Sequence, residues 1–181
     1  LFTVLLSIGY KLNLTYILWT HALGTLALWI TGMVGARMAE RIIPEQKYIG
    51  LIAGLALVLA WHLIWAAASG METMLFSMWT LLLIALSWRE LDSRSSKPFH
   101  VLLRGGFFGL LAALATLTRP EGVALAGLIG LIMLIVRPQS SWRGVLLWGI
   151  GAAVAFALVI SPYLILNLNL TGGLLPDTAA A

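Results

Sequence analysis

The 181 residues are 61% hydrophobic and only 10% charged, with a formal net charge of +4. Soluble domains carry roughly 25% charged and about 45–50% apolar residues, so this composition excludes a water-soluble globule and makes lipid part of the solvent. There is no cysteine, which excludes disulfides, thiol catalysis and cysteine-ligated metals.

A bilayer core about 30 Å thick needs about 20 apolar residues per helix. That ruler predicts spans near 14–37, 49–69, 71–88, 101–118, 121–136 and 144–166. The fold class expected is all-α, a polytopic transmembrane bundle of about six spanning helices forming one domain over residues 1–181. Residues 1–10 (LFTVLLSIGY) are too short to span, and read as the end of a longer helix or as a segment at the interface. The 121–136 run is also short for a full crossing. The chain opens on Leu1 inside an apolar stretch, with no charged leader before it, which predicts an internal fragment of a larger protein.

Charge sets the orientation. Nine of the eleven basic residues fall in alternate connections: Arg37, Arg41 and Lys47; Arg89, Arg94, Lys97 and Arg104; Arg137 and Arg143. The opposite connections hold only Lys11 and Arg119. The excess of positive charge predicts that the first set faces the cytoplasm, and it accounts for the basic balance without a nucleic-acid partner. Trp88, Trp142 and Trp148 then fall near the cytoplasmic interface and Trp19, Trp61 and Trp65 near the outer one, with Trp29 and Trp79 packed within the bundle. Small residues recur four apart at Gly50 and Gly54, at Gly105, Gly109 and Ala113, and at Gly122, Ala126 and Gly130. This spacing predicts close helix approach. Asn-x-Thr sequons begin at Asn13 and Asn169, both on the outward side.

The same topology sorts the remaining polar residues to the outward side. Glu72 begins a helix just past Gly70, where helix-dipole capping and a functional carboxylate are the competing readings. Arg119 precedes Pro120, which ends one helix and suits the first turn of the next. A guanidinium fixed there suits a phosphate or carboxylate, or pairs structurally with Glu72 or Glu121. His21 and His62 lie in the outer halves of their helices, open to a hydrogen bond within the bundle or to substrate. Asp177 follows the turn-rich Gly172-Gly173-Leu174-Leu175-Pro176. No metal-ligand spacing, phosphate-cradling glycine loop or Ser-His-Asp order is present.

Three segments carry a family likeness: ASGMETMLF (68–76), LAALATLTRPEGVAL (111–125) and SPYLILNLNLTGGLLPDT (161–178). In these the chain resembles the polytopic GT-C glycosyltransferases that use polyprenyl-phosphate sugars, in particular bacterial relatives of the mannosyl- and arabinofuranosyltransferases. The resemblance implies inverting transfer of a sugar from a polyprenyl-phosphate donor to a glycan or protein acceptor. The reaction would take place on the extracytoplasmic face of a bacterial inner or plasma membrane. It implies that Arg119 neutralises the donor phosphate, that Glu72 and Glu121 order the site or the acceptor, and that Asp177 leads toward a variable C-terminal region. The general base of such enzymes sits in a first outward loop, expected upstream of Leu1, so this stretch alone is expected to be inactive. The alternatives are a transporter or flippase for an amphiphilic substrate, and a structural membrane subunit. Charges gathered at one surface and the lack of matching halves argue against transport, and an outward Arg119 and Glu72 against the structural subunit.

Overall fold

A computed structural model describes residues 1–92, 97–136 and 142–171, and these form an all-α bundle. In chain order the helices are α1 (Phe2–Lys11), α2 (Tyr16–Ile42), α3 (Ile49–Leu59), α4 (Trp61–Ala68), α5 (Thr73–Leu91), α6 (Pro98–Thr118), α7 (Gly122–Val136) and α8 (Trp142–Thr171). Arg94, Arg137 and Asp177 lie outside the described residues.

Each predicted apolar run is helical, but not each is one full crossing. Among the described residues four helices (α2, α5, α6 and α8) are long and apolar enough to span, and α3 with α4 passes the same test only as a pair bent by 53°, the shape of a broken span or of a re-entrant loop. The bend falls at Ala60, whose extended backbone (φ −63°, ψ 112°) interrupts the helix. An apolarity ruler does not see it, because Ala60 is as apolar as its neighbours. The 15 residues of α7 rise only about 22 Å, short of a bilayer core. Large apolar side chains such as Leu55, Leu131 and Leu158 stay exposed on the helix surfaces. Together with the long apolar helices, this is compatible with an integral membrane protein.

α5 joins two packing units. On one side Ala27 and Leu28 of α2, Ala66 and Ala67 of α4, and Met74, Leu75 and Met78 of α5 form a buried cluster. On the other, Leu83 of α5 packs with Phe108, Leu111 and Ala112 of α6, Ile129 and Met133 of α7, and Trp148 of α8. Trp79 and Leu82 touch both clusters, so Trp79 sits inside the bundle as predicted. Trp29 does not. The inward face of α2 runs through Thr20, Gly24, Ala27, Leu28 and Thr31, which turns Trp29 outward at 58% exposure. Trp148 corrects the prediction in the other sense: it is buried rather than interfacial, with its ring 4.8 Å from that of Phe108.

Glycine decides where helices touch. A Cβ at Gly105 would strike the carbonyl of Trp148, and one at Gly109 the carbonyl of Ala152. Gly151 returns the contact, facing the carbonyl of Leu102, and α6 against α8 is the most extensive pairing in the bundle. Gly32 and Gly54 bring α2 and α3 together in the same way, while Gly50 of α3 meets the side chain of Glu40. With little hydrophobic drive between helices in lipid, such close contact is what dispersion needs. Gly130 departs from the expectation, having open space where a Cβ would stand.

Among the described residues two ion pairs tie the basic end: Arg41 of α2 with Asp92 just past α5, and Glu90 of α5 with Arg104 of α6 at 3.4 Å. Glu90 is 4% exposed, so its charge depends on that partner. Glu90→Gln is expected to destabilise the chain by about 3 kcal/mol, because the arginine would keep a partly buried charge without its counter-ion. Thermal unfolding in detergent checks this, and Arg104→Gln should cost a similar amount.

At the opposite end α1 bridges two helices. The nitrogen of Leu1 donates to the carbonyl of Leu117 near the end of α6, and the Trp19 indole donates to the carbonyl of Leu5, both at 2.7 Å. Phe2, Leu5, Leu6 and Gly9 face inward while Thr3, Val4, Ser7 and Ile8 face outward, a period of 3.6. Both ends of α1 therefore lie at one end of the bundle, which favours the interfacial reading over a truncated span. In α8, Pro162 removes the N–H that would bond Leu158, and the Ser161 hydroxyl donates to that carbonyl instead at 3.2 Å.

Candidate functional site

Two turns build the site. In the first, α4 ends at Ser69, whose hydroxyl donates to the carbonyl of Ala66 at 2.8 Å and accepts from the Met71 N–H at 3.3 Å. Gly70 follows at φ +69°, a left-handed conformation that costs a side-chain-bearing residue about 1–2 kcal/mol. A Cβ there would meet Thr20 and Tyr16 only at ordinary contact distance, 3.7 Å, so Gly70→Ala is expected to lower stability by about 1 kcal/mol through backbone strain. A thermal shift compared with Gly127→Ala, at a helical glycine where a Cβ meets nothing, separates the strain from a simple change of side chain.

This turn delivers Glu72 to the N-cap of α5. Its side chain makes no capping hydrogen bond, and no ion pair holds it among the described residues. A capping bond therefore does not explain the carboxylate. The favourable helix dipole remains.

In the second turn the chain reverses within three residues. The Arg119 N–H closes α6 on the carbonyl of Ala115 at 2.9 Å, and the Arg119 carbonyl accepts the Gly122 N–H at 2.9 Å to open α7. Pro120 disfavours helix at the residue before it, and Arg119 accordingly takes an extended conformation (φ −144°, ψ 135°). Gly122 lies against the backbone of Ala115 and Thr116, with no room for a Cβ. The direction of Arg119 is thus set by the backbone on both sides.

The Arg119 guanidinium stands 5.7 Å from the ring centroid of Phe76 and 3.1 Å from Glu121. Phe76 is one turn on from Glu72, and its N–H bonds the Glu72 carbonyl at 2.9 Å. The structure therefore brings Arg119, Glu121 and the first turn of α5 to one corner. The Arg119–Glu121 pair is 37% and 60% exposed, and such a pair contributes at most about 1 kcal/mol. An arriving anion competes with Glu121 at little cost. Phe76 was not singled out from sequence; its position four residues after Glu72, on the same helix face, is the signal that was available.

His21 and His62 do not join this corner. His21 is exposed and bonds the carbonyl of Ile17 in its own helix at 2.7 Å. His62 is exposed beside Trp61 and Trp65 on α4. Neither has a hydrogen bond, ion pair or ring contact to Arg119 or Glu72 among the described residues. Among those residues no group of three His, Asp or Glu side chains is placed to hold a metal ion.

An apolar groove of about 600 Å³ opens between α6, α7 and α8, lined along α7 from Val123 to Leu134. Open glycines at 127, 130 and 149 help form it. Its walls include neither Arg119 nor any residue of α5, whereas Arg119 rests against Phe76 of α5.

Compared with known protein families, with curated proteins and with solved structures, the chain matches none.

Proposed function

We propose that the chain is part of an integral membrane glycosyltransferase that moves a sugar from a polyprenyl-phosphate donor to an acceptor hydroxyl, at the end of the bundle carrying Arg119. The observation that carries this reading is the guanidinium itself. It is held by a rigid turn, backed by Phe76 from the helix that Glu72 caps, and paired only with the exposed Glu121. In the reaction the acceptor oxygen forms a bond to the anomeric carbon as the bond from that carbon to the phosphate oxygen breaks. The leaving phosphate gains negative charge in the transition state, and a fixed arginine stabilises what develops there. The acceptor proton passes to a carboxylate base expected outside these residues. Glu72 and Glu121 order the acceptor, and the basic end faces the cytoplasm.

The bend at Ala60 favours a second reading, since transporters place broken helices at their binding sites. The neighbours of that break, Leu59 and Trp61, are exposed and apolar, and no charged group accompanies them. One experiment separates the two. The full-length protein is reconstituted in vesicles with a radiolabelled polyprenyl-phosphate sugar on one leaflet. Transfer releases polyprenyl phosphate in step with glycosylated acceptor. Passage of intact donor to the other leaflet, with no glycosidic bond made, would replace transfer with transport.

A further inference from the structure

The basic end carries a second groove, of about 360 Å³, between α2, α5 and α6. Its walls divide by chemistry. Arg37 and Arg41 line it one helical turn apart on α2, and Arg89 lines it from the last turn of α5. Deeper in, the lining is apolar, with Leu82, Leu86 and Phe107. Leu82 lies seven residues, about 10 Å, farther from the basic end than Arg89.

No carboxylate lines the groove. Arg41 is partly neutralised by Asp92 and packs at 5.2 Å over the Trp88 ring. Arg37 and Arg89 have no ion pair among the described residues. Two guanidinium forks at the head of an apolar trough match an amphiphile with an anionic head and a hydrocarbon chain. A free phosphate would leave the trough empty, and a zwitterionic lipid would bring its own cation against the arginines.

We propose that this groove binds an anionic phospholipid, its phosphate between Arg37 and Arg89 and an acyl chain over Leu82, Leu86 and Phe107. The site lies at the end of the bundle opposite Arg119, and it does not depend on the transfer reading. Lipid held there would wedge α2 against α5 and α6, the helices that the two ion pairs of this end already connect.

Native mass spectrometry of the full chain in neutral detergent tests this, with phosphatidylglycerol and phosphatidylcholine titrated in parallel. Phosphatidylglycerol is expected to be retained about tenfold more strongly, and excess inorganic phosphate should not displace it. Both comparisons use the unaltered chain. Arg37→Gln with Arg89→Gln should abolish the preference. Lys97→Gln with Arg143→Gln removes as much charge from the same end outside the groove and should leave the preference intact. Equal retention of the two lipids overturns the proposal, as does equal loss in the two double variants. Displacement by inorganic phosphate would make this a soluble-anion site and overturn it too.

Discussion

Arg119→Ala is expected to lower sugar transfer by about 100- to 1,000-fold while leaving the protein folded, because in the proposed reaction it removes the fixed positive charge that would face the leaving phosphate. The size of the effect follows from geometry. The turn that holds Arg119 is built from backbone bonds to Ala115 and Gly122, and none of them uses the guanidinium. The side chain gives up only an exposed pair with Glu121 and a ring contact with Phe76, together about 1 kcal/mol. Loss of activity and loss of stability are therefore separable at this residue. Arg119→Lys keeps the charge but loses the planar fork, and should retain an intermediate rate, lower by about tenfold. Glu121→Gln frees the guanidinium from its partner and should change the rate much less. Initial rates in vesicles and thermal midpoints in detergent, measured on the same preparations, decide the matter. If Arg119→Ala transfers normally but melts early, Arg119 is a structural residue and the phosphate assignment falls.

The bundle was legible in the sequence because apolarity and length are one-dimensional properties. Each predicted run is helical. What apolarity does not encode is direction. Trp29 and Trp79 read alike as mid-membrane tryptophans, yet one faces outward and the other joins two clusters. The difference lies in which face of each helix the glycines and alanines of its partner select. The break at Ala60 was equally silent, since an extended alanine between two apolar helices leaves no compositional trace.

The candidate site was legible where local chemistry is rigid. Gly70 before Glu72, and Pro120 after Arg119, fix the backbone by steric rules that need no tertiary information. The ring of Phe76 beneath the guanidinium and the pairing of Glu90 with Arg104 arise between helices, so spacing alone did not reveal them. His21 and His62 were grouped with Arg119 by depth in the bilayer. Depth does not say on which side of the bundle a residue stands.

The same distinction between spacing and contact predicts a large stability effect. Gly109→Leu is expected to cost about 3 kcal/mol or more, beyond ordinary overpacking, because the obstacle is backbone. A Cβ at Gly109 meets the carbonyl of Ala152, backbone that cannot turn aside as a side chain would, so α6 and α8 must move apart. Gly105 faces the carbonyl of Trp148 one turn away, so the two helices cannot tilt to relieve one glycine without tightening on the other. Gly130 belongs to an equally regular small-residue series, yet a Cβ there meets nothing. Gly130→Ala should be neutral or stabilise by about 0.5–1 kcal/mol through reduced backbone entropy. Thermal unfolding of the two variants in one detergent compares them directly, and equal midpoints would mean that the close approach of α6 and α8 does not hold the bundle together. Because α6 ends in Arg119, displacing it from α8 should also lower transfer, with the loss tracking stability in Gly109→Leu and independent of stability in Arg119→Ala.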